Sequence, residues 1–281
     1  MTVIPSTGAF IGRVNGRDHR AFLRVSDRLD ASALEFMMYE AFYDRCSDIL
    51  SDFLASGLAF PVLHAEKRIG ELVGLGGEEN LCEAERRFLV NCRVAERLGA
   101  DTMVLHLWNG LPSDFAFPRH LEAYDSFARL ARKHGLTLTV ENVVCAAGDP
   151  LSHFLALAER YPDVAFTYDT KMAAFHRQET ALFEPPYSGV IFPRVRHIHF
   201  NDYGGVPGDF SRLAVLHLGE GYLDLAGIAR HLIDLGYGGT VTLECSCMCP
   251  DGSLLPERMN ASLAMARRLF ASEAEGETPC E

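Results

Sequence analysis

The stretch Val195–Gly205, VRHIHFNDYGG, sets two histidines two residues apart in a β-branched and aromatic run, then an aspartate and two glycines. Residues i and i+2 of a strand share a face. His197 and His199 therefore point one way, and Ile198 and Phe200 the other. A strand that aims two imidazoles at one side and then stops needs polar company on that side. The neighbouring segments supply it.

Working outward, polar residues close several apolar runs. FPVLHAEK ends at His64, DTMVLHLWNG reaches His106, LTLTVENVVC reaches Glu141, DVAFTYDT reaches Asp169, and GTVTLECS reaches Glu244. Segments of helical spacing stand between them. EENLCEAERRFLVNCRVAERLGA stops at Gly99, and RHLEAYDSFARLARKHG stops at Gly135, both suited to a left-handed cap. GDPLSHFLALAERYP starts with Asp149 as N-cap and Pro150 at the first helical position. LDLAGIARHLIDLGYG offers Asp224 as N-cap and Gly236 as stop, and LPERMNASLAMARRLFAS is a last helix. AFIGRVNG and ALEFMMYEAF are weaker strand candidates near the start.

The polar ends His64, His106, Glu141, Asp169, His199 and Glu244 are separated by 42, 35, 28, 30 and 45 residues. Each step is about one βα unit. Six clear units and two weaker ones make eight, with no break in composition. The expected fold is a single (β/α)8 TIM barrel over residues 1–281, with an acidic, disordered tail at 272–281.

Strand parity sharpens this picture. Thr137, Thr139 and Glu141 share a face, as do Thr240, Thr242 and Glu244; Ala165, Thr167 and Asp169; and Thr102, Val104 and His106. The larger apolar residues between them are free to pack on helices, so the smaller and polar set points into the barrel. Six strands thus deliver His, His, Glu, Asp, His and Glu to the carboxyl rim, where barrel enzymes work. His197 lies one layer deeper, as a hydrogen-bonded barrel residue. Three carboxylates crowded there repel one another. A divalent cation relieves this, and three carboxylates with an imidazole suit Mn²⁺, Mg²⁺, Co²⁺ or Zn²⁺.

Composition narrows the partners. The 281 residues are 48% hydrophobic and 23% charged, with a formal net charge of −12 and no basic run. That disfavours nucleic acid as a partner. No apolar stretch is long enough for a membrane span or signal peptide. With eight scattered cysteines, a cytoplasmic protein with reduced thiols is expected. ECSCMCP lacks a common zinc spacing, so Cys245, Cys247 and Cys249 read as structural. A homodimer is compatible with an exposed barrel surface.

These segments, in this order, resemble the xylose-isomerase-like barrel superfamily. It includes sugar phosphate isomerases and epimerases, inosose dehydratases and apurinic/apyrimidinic endonucleases. RLGADTMVLHLWNG is similar to its fourth strand, LTLTVENV to its glutamate-asparagine strand, FTYDT to its aspartate strand and HIHFND to its H-x-x-D strand. HLGEGYLDLAGIARHLIDLGYGGTVTLE is similar to its G-E-G turn, helix and closing glutamate. The resemblance implies that Glu141, Asp169, His199 and Glu244 hold one catalytic metal, and that Glu141 and Glu244 form the acid/base pair. It implies a metal-dependent isomerase or epimerase of a small carbohydrate ketone. A dehydratase of an inosose-like or dehydroshikimate-like ketone is the alternative.

Two departures bear on this. The family often has a histidine where Met172 stands; Lys171 or His176 could fill that place. The endonuclease branch needs an Asp-x-His pair after the seventh strand, and His217 has no such partner at Val215, which makes phosphodiester cleavage the least favoured outcome. Further candidates for contacting substrate are His64, His106, Trp108, Lys67, Lys171 and Asp202. Trp108 could stack on a sugar or pack in its loop. Lys67 and Arg68 could hold a phosphate or carboxylate, or stand as solvated charges, the commoner fate. Asp202 could serve the site or form a turn.

Overall fold

The computed structural model describes residues 1–110 and 114–271. The expected disordered tail at 272–281, and Cys280 in it, lie outside the described residues. Eight parallel strands form a nearly closed barrel: β1 (Thr2–Pro5), β2 (Ala33–Met37), β3 (Ala59–His64), β4 (Thr102–Leu105), β5 (Thr137–Glu141), β6 (Ala165–Asp169), β7 (Val195–His199) and β8 (Thr240–Leu243). Seven ladders link them in sequence order, with β8 returning to β1; a single parallel bridge, Ser6 to Glu35, spans the seam between β1 and β2.

The helices start and stop where the sequence marks them. Asp149 accepts a hydrogen bond from Ser152 N above Pro150, and Asp224 accepts one from Gly227 N. Gly99 (φ 74°), Gly135 (φ 72°) and Gly236 (φ 73°) close their helices in the left-handed region. Among the described residues no helix is long and apolar enough to cross a membrane.

The first strand corrects an expectation. AFIGRVNG is not a strand; β1 is the four-residue TVIP upstream of it. Ser6 ends that strand by accepting a hydrogen bond from Gly8 N, which starts a 3-10 turn, Thr7–Ala9. The buried run Ala9–Ile11 is instead the floor of the loop that follows. The weak candidate ALEFMM is β2.

Parity holds around the barrel. Ile4, Val62 and Val104 form a small apolar plug inside it, separate from the large core between sheet and helices. Above the plug, Thr139 and Thr167 share a 2.7 Å hydrogen bond. Parallel register sets Thr167 beside His197, Asp169 beside His199, and Thr242 on the other flank of His199. The barrel is therefore greasy at its base and polar toward its carboxyl rim. β8 stops at Leu243, so Cys245 and Cys247 are buried in the loop beyond, where Cys247 N donates to Ala9 O. Burial pushes both thiols up to about 12, as befits packed, uncharged cysteines.

Candidate metal centre

Strand ends on β5 to β8 bring Glu141, Asp169, His199 and Glu244 together. Each offers one donor atom, and the four atoms lie within 4.8 Å of one another. His199 Nδ1 is the hub: Glu141 Oε1 is at 3.1 Å, Glu244 Oε2 at 3.5 Å and Asp169 Oδ2 at 4.0 Å.

Each side chain is held by its own sequence neighbourhood. Asp169 Oδ1 caps the short helix Thr170–Phe175, accepting from Lys171 N (2.7 Å) and Met172 N (3.3 Å). That leaves Oδ2 buried with no hydrogen-bond donor in line. Asn142 accepts from Asp169 N (2.6 Å) and donates to Asp169 O (3.0 Å), pinning the end of β6 from the end of β5. Asn201 does the same for Glu244, accepting from its N–H (3.0 Å) and donating to Oε2 (3.2 Å). The two asparagines continue the ladder with side chains where the strands diverge.

His199 is oriented from behind. Its Nε2–H donates to Glu35 Oε2 at 2.9 Å, and His197 Nε2 reaches the same oxygen at 3.2 Å. That bond turns Nδ1 toward the three carboxylates, so that once Nδ1 gives up its proton the imidazole is aimed at a metal. Burial opposes charge on Glu35, but His199 and His197 hold its carboxyl well below the usual range. Glu35 is the residue that sequence reasoning missed. Its signal was available: in ALEFM, Ala33, Glu35 and Met37 have the inward phase, and a carboxylate in such a run is costly unless paired.

His64 and His106 back Glu141. Their Nε2 atoms lie 3.3 Å and 2.7 Å from Glu141 Oε2. Each ring spends its other nitrogen on a fixed acceptor: His64 Nδ1–H donates to Ala65 O, and His106 Nδ1–H to Asn109 Oδ1. The helix Arg68–Leu75 packs on this end of β4 so tightly that a Cβ on Gly70 would sit 2.3 Å from His106 O. Burial pushes His106 down to about 4 in spite of Glu141.

Lys171 precedes Met172, the position where the resembled pattern has a histidine, and it reaches the centre. Its Nζ is 3.2 Å from Asp169 Oδ2 and 3.8 Å from Glu244 Oε2. Burial raises Asp169 to about 6 against the pull of this ammonium. His176 does not fill the place: its Nε2 accepts from Cys145 N instead.

Two expected substrate contacts are corrected. Trp108 is fully buried, its Nε1–H donates to Val143 O, and its ring meets Phe117, His153 and Phe154 edge-on. It packs beneath the loops and presents no face to a sugar. Asp202 is also buried; its carboxylate accepts from the backbone N–H groups of Tyr203, Gly219, Gly221 and Leu223. It organises the G-E-G turn, where a Cβ on Gly221 would fall 2.3 Å from Asp202 Oδ1. His217 is spent on Ser262 Oγ and Ser246 O.

The centre opens into a cavity of about 450 Å³ at the carboxyl mouth, lined by Glu244, Lys171, Tyr39, Lys67, Asn109 and others. Glu244 is the carboxylate on its wall. Glu141 lies below, enclosed by three imidazoles. Three carboxylate oxygens and one imidazole nitrogen, with Asp169 Oδ2 buried and met by the Lys171 ammonium, fit a divalent cation. A separate cluster, Asp114, Cys145 and His153, does not: both Asp114 oxygens are committed, to the N–H groups of Ala146, Ala147 and Gly148 and to His153.

A family model described as Xylose isomerase-like TIM barrel matches residues 27–269. No curated protein matches the sequence. Among solved structures, D-psicose 3-epimerase from Clostridium cellulolyticum H10 has a TM-score of 0.69 at 13% identity, covering 96% of this chain and 99% of that one. An L-ribulose 3-epimerase gives 0.66 at 14% identity, covering 99% of both chains. The 3-keto-D-glucoside 4-epimerase of E. coli gives 0.65 at 14% identity, covering 95% of this chain and 99% of that one. At such identities the likeness is one of fold.

Proposed function

Since the chain belongs to the xylose isomerase-like TIM barrel family, we propose that it is a divalent-metal-dependent isomerase or epimerase of a small sugar or polyol ketone. The observation that carries the reading is the convergence of Glu141, Asp169, His199 and Glu244 beside an open cavity that Glu244 lines. The names of the three structures above, each a sugar epimerase, support it.

These four residues would hold the metal, which when bound supplies Lewis acidity to polarise a ketone. The chain's own groups do the rest. Glu244, on the cavity wall, removes the proton α to the carbonyl. Glu141, beside His64 and His106, is the second member of the pair and returns a proton. Lys171, beside Asp169 and Glu244, offsets negative charge that develops near them and donates to a substrate oxygen. Asn142 and Asn201 keep Asp169 and Glu244 in place, which matters because misplacement of about 1 Å costs on the order of a hundredfold in rate.

The test is a ketose and polyol-ketone panel with Mn²⁺ in deuterated water, read as deuterium incorporation at unchanged product skeleton. Exchange is expected for the wild type and lost in Glu244→Gln with the fold intact. Exchange retained in that variant removes Glu244 from the mechanism. An absorbing enone product instead marks a dehydratase.

A further inference from the structure

The cavity collects positive charge that the protein does not neutralise. Five cationic side chains line it: Arg13, Arg17, Lys67, Arg68 and Lys171. Four carboxylates line it too, and each has its partner. Glu40 meets Arg68 and Arg87, Glu66 meets Arg87, Glu71 meets Arg68, and Glu244 meets Lys171. Arg68 and Lys171 are spent in this way, and Arg87 reaches in from the helix behind. Arg13, Arg17 and Lys67 have no ion-pair partner among the described residues. In a chain of net charge −12, three unmatched cations around one cavity call for an anion.

Arg17 is the firmest of the three. Its Nε is buried and has no hydrogen-bond partner, and its guanidinium lies 5.3 Å from the centre of the Tyr39 ring. A desolvated guanidinium N–H with no acceptor is a donor prepared for one. Its backbone is left-handed, at φ 54°, a conformation uncommon outside glycine. The loop is tied in that shape: Arg17 N donates to Gly12 O (2.8 Å), while Asn15 accepts from Gly12 N (3.0 Å) and donates to Phe10 O (2.7 Å). Arg13 rides on the same loop. Lys67 follows β3 on the adjacent side.

The loop after the seventh strand, one of the two that customarily hold phosphate in such barrels, has its backbone donors already taken. The N–H groups of Gly219, Gly221 and Leu223 that could cradle an anion already bind the Asp202 carboxylate. The unmatched cations lie instead in the loops after β1 and β3, away from the ligands on β5 to β8.

We propose that the substrate is an anionic ketose or polyol ketone whose phosphate or carboxylate, remote from the reacting carbons, is received by Arg13, Arg17 and Lys67. This rests on the sugar isomerase or epimerase reading and names its substrate class.

Binding, which needs no turnover, tests it. Ribitol, ribitol 5-phosphate and ribonate are titrated calorimetrically into the Mn²⁺-loaded protein and into its Arg17→Gln, Arg17→Lys and Lys67→Gln variants. At least one anionic probe is expected to bind tenfold or more tighter than ribitol. That preference should fall about tenfold in Arg17→Gln and in Lys67→Gln, recover in part in Arg17→Lys, and weaken as salt rises. Lys67 is exposed, so its variant reports even if Arg17→Gln fails to fold. The ratio of the two anions separates a phosphate ligand from a carboxylate. Equal affinity for all three probes overturns the proposal, as does an anion preference untouched by all three substitutions, which is binding to the metal alone. If neutral ketoses exchange deuterium and anions gain nothing, the substrate class falls and the function stands. If no ketose exchanges but the cation-dependent preference appears, the reverse holds.

Discussion

Glu35 shows how much one side chain controls at this centre. Its Oε2 takes the Nε2–H of His199, and so decides which nitrogen of that ring faces Glu141, Asp169 and Glu244. A glutamine there keeps the volume but removes the charge that favours the donating tautomer. Glu35→Gln is expected to weaken Mn²⁺ binding roughly 10- to 100-fold, the usual effect of losing such a partner. Isothermal titration of the metal, with circular dichroism to verify the fold, measures it. Unchanged metal affinity would show that His199 holds its tautomer without Glu35. Glu35→Asp, with the charge kept but the carboxylate drawn back, should fall between the two.

At the scale of elements, the site depends on loops held by side chains beyond the ladders. Asp202 gathers the turn before the helix Leu225–Asp234 by accepting from Gly219, Gly221 and Leu223. Replacing it with alanine strands those three donors. Asp202→Ala should lose about 2–3 kcal/mol in urea denaturation, and Asp202→Asn about half of that, since it keeps one acceptor oxygen. A midpoint unmoved in both variants would mean that water satisfies the turn. These loops were the hard part to read from sequence. The strands were legible because their faces alternate, so the inward phase of Glu141, Asp169, His199 and Glu244 could be counted residue by residue. Asp149, Gly99 and Gly135 were legible because caps are local chemistry. Trp108 and Asp202 were not, because whether a loop side chain points into a cavity or under it is set by distant segments: Val143 and Phe117 for the indole, the 219–223 turn for the carboxylate. β1 was missed because its short TVIP run is less apolar than the buried loop after it.

Across the whole molecule, stability and metal binding are coupled through the barrel's polar end. The apolar plug of Ile4, Val62 and Val104 closes the base. The rim gathers carboxylates whose mutual repulsion is relieved from within by imidazoles and by Lys171, 3.2 Å from Asp169 Oδ2 and 3.8 Å from Glu244 Oε2. A dication bound by the folded barrel alone must raise its stability, by about 2.7 kcal/mol at a hundredfold excess over Kd. That corresponds to a rise in Tm of about 5 °C for a chain of this size. Lys171 and the metal seek the same oxygens, so the ammonium lowers the metal's apparent affinity while it stabilises the metal-free barrel. Lys171→Met is therefore expected to lower Tm in chelator, to tighten Mn²⁺ binding, and to widen the gap between the two melting curves. Differential scanning calorimetry of wild type and variant, each with EDTA and with Mn²⁺, reads all three effects. A gap that narrows in Lys171→Met would mean that the lysine assists metal binding and would end the competition model. A wild type whose Tm ignores Mn²⁺, Mg²⁺, Co²⁺ and Zn²⁺ alike would remove the metal from this centre altogether.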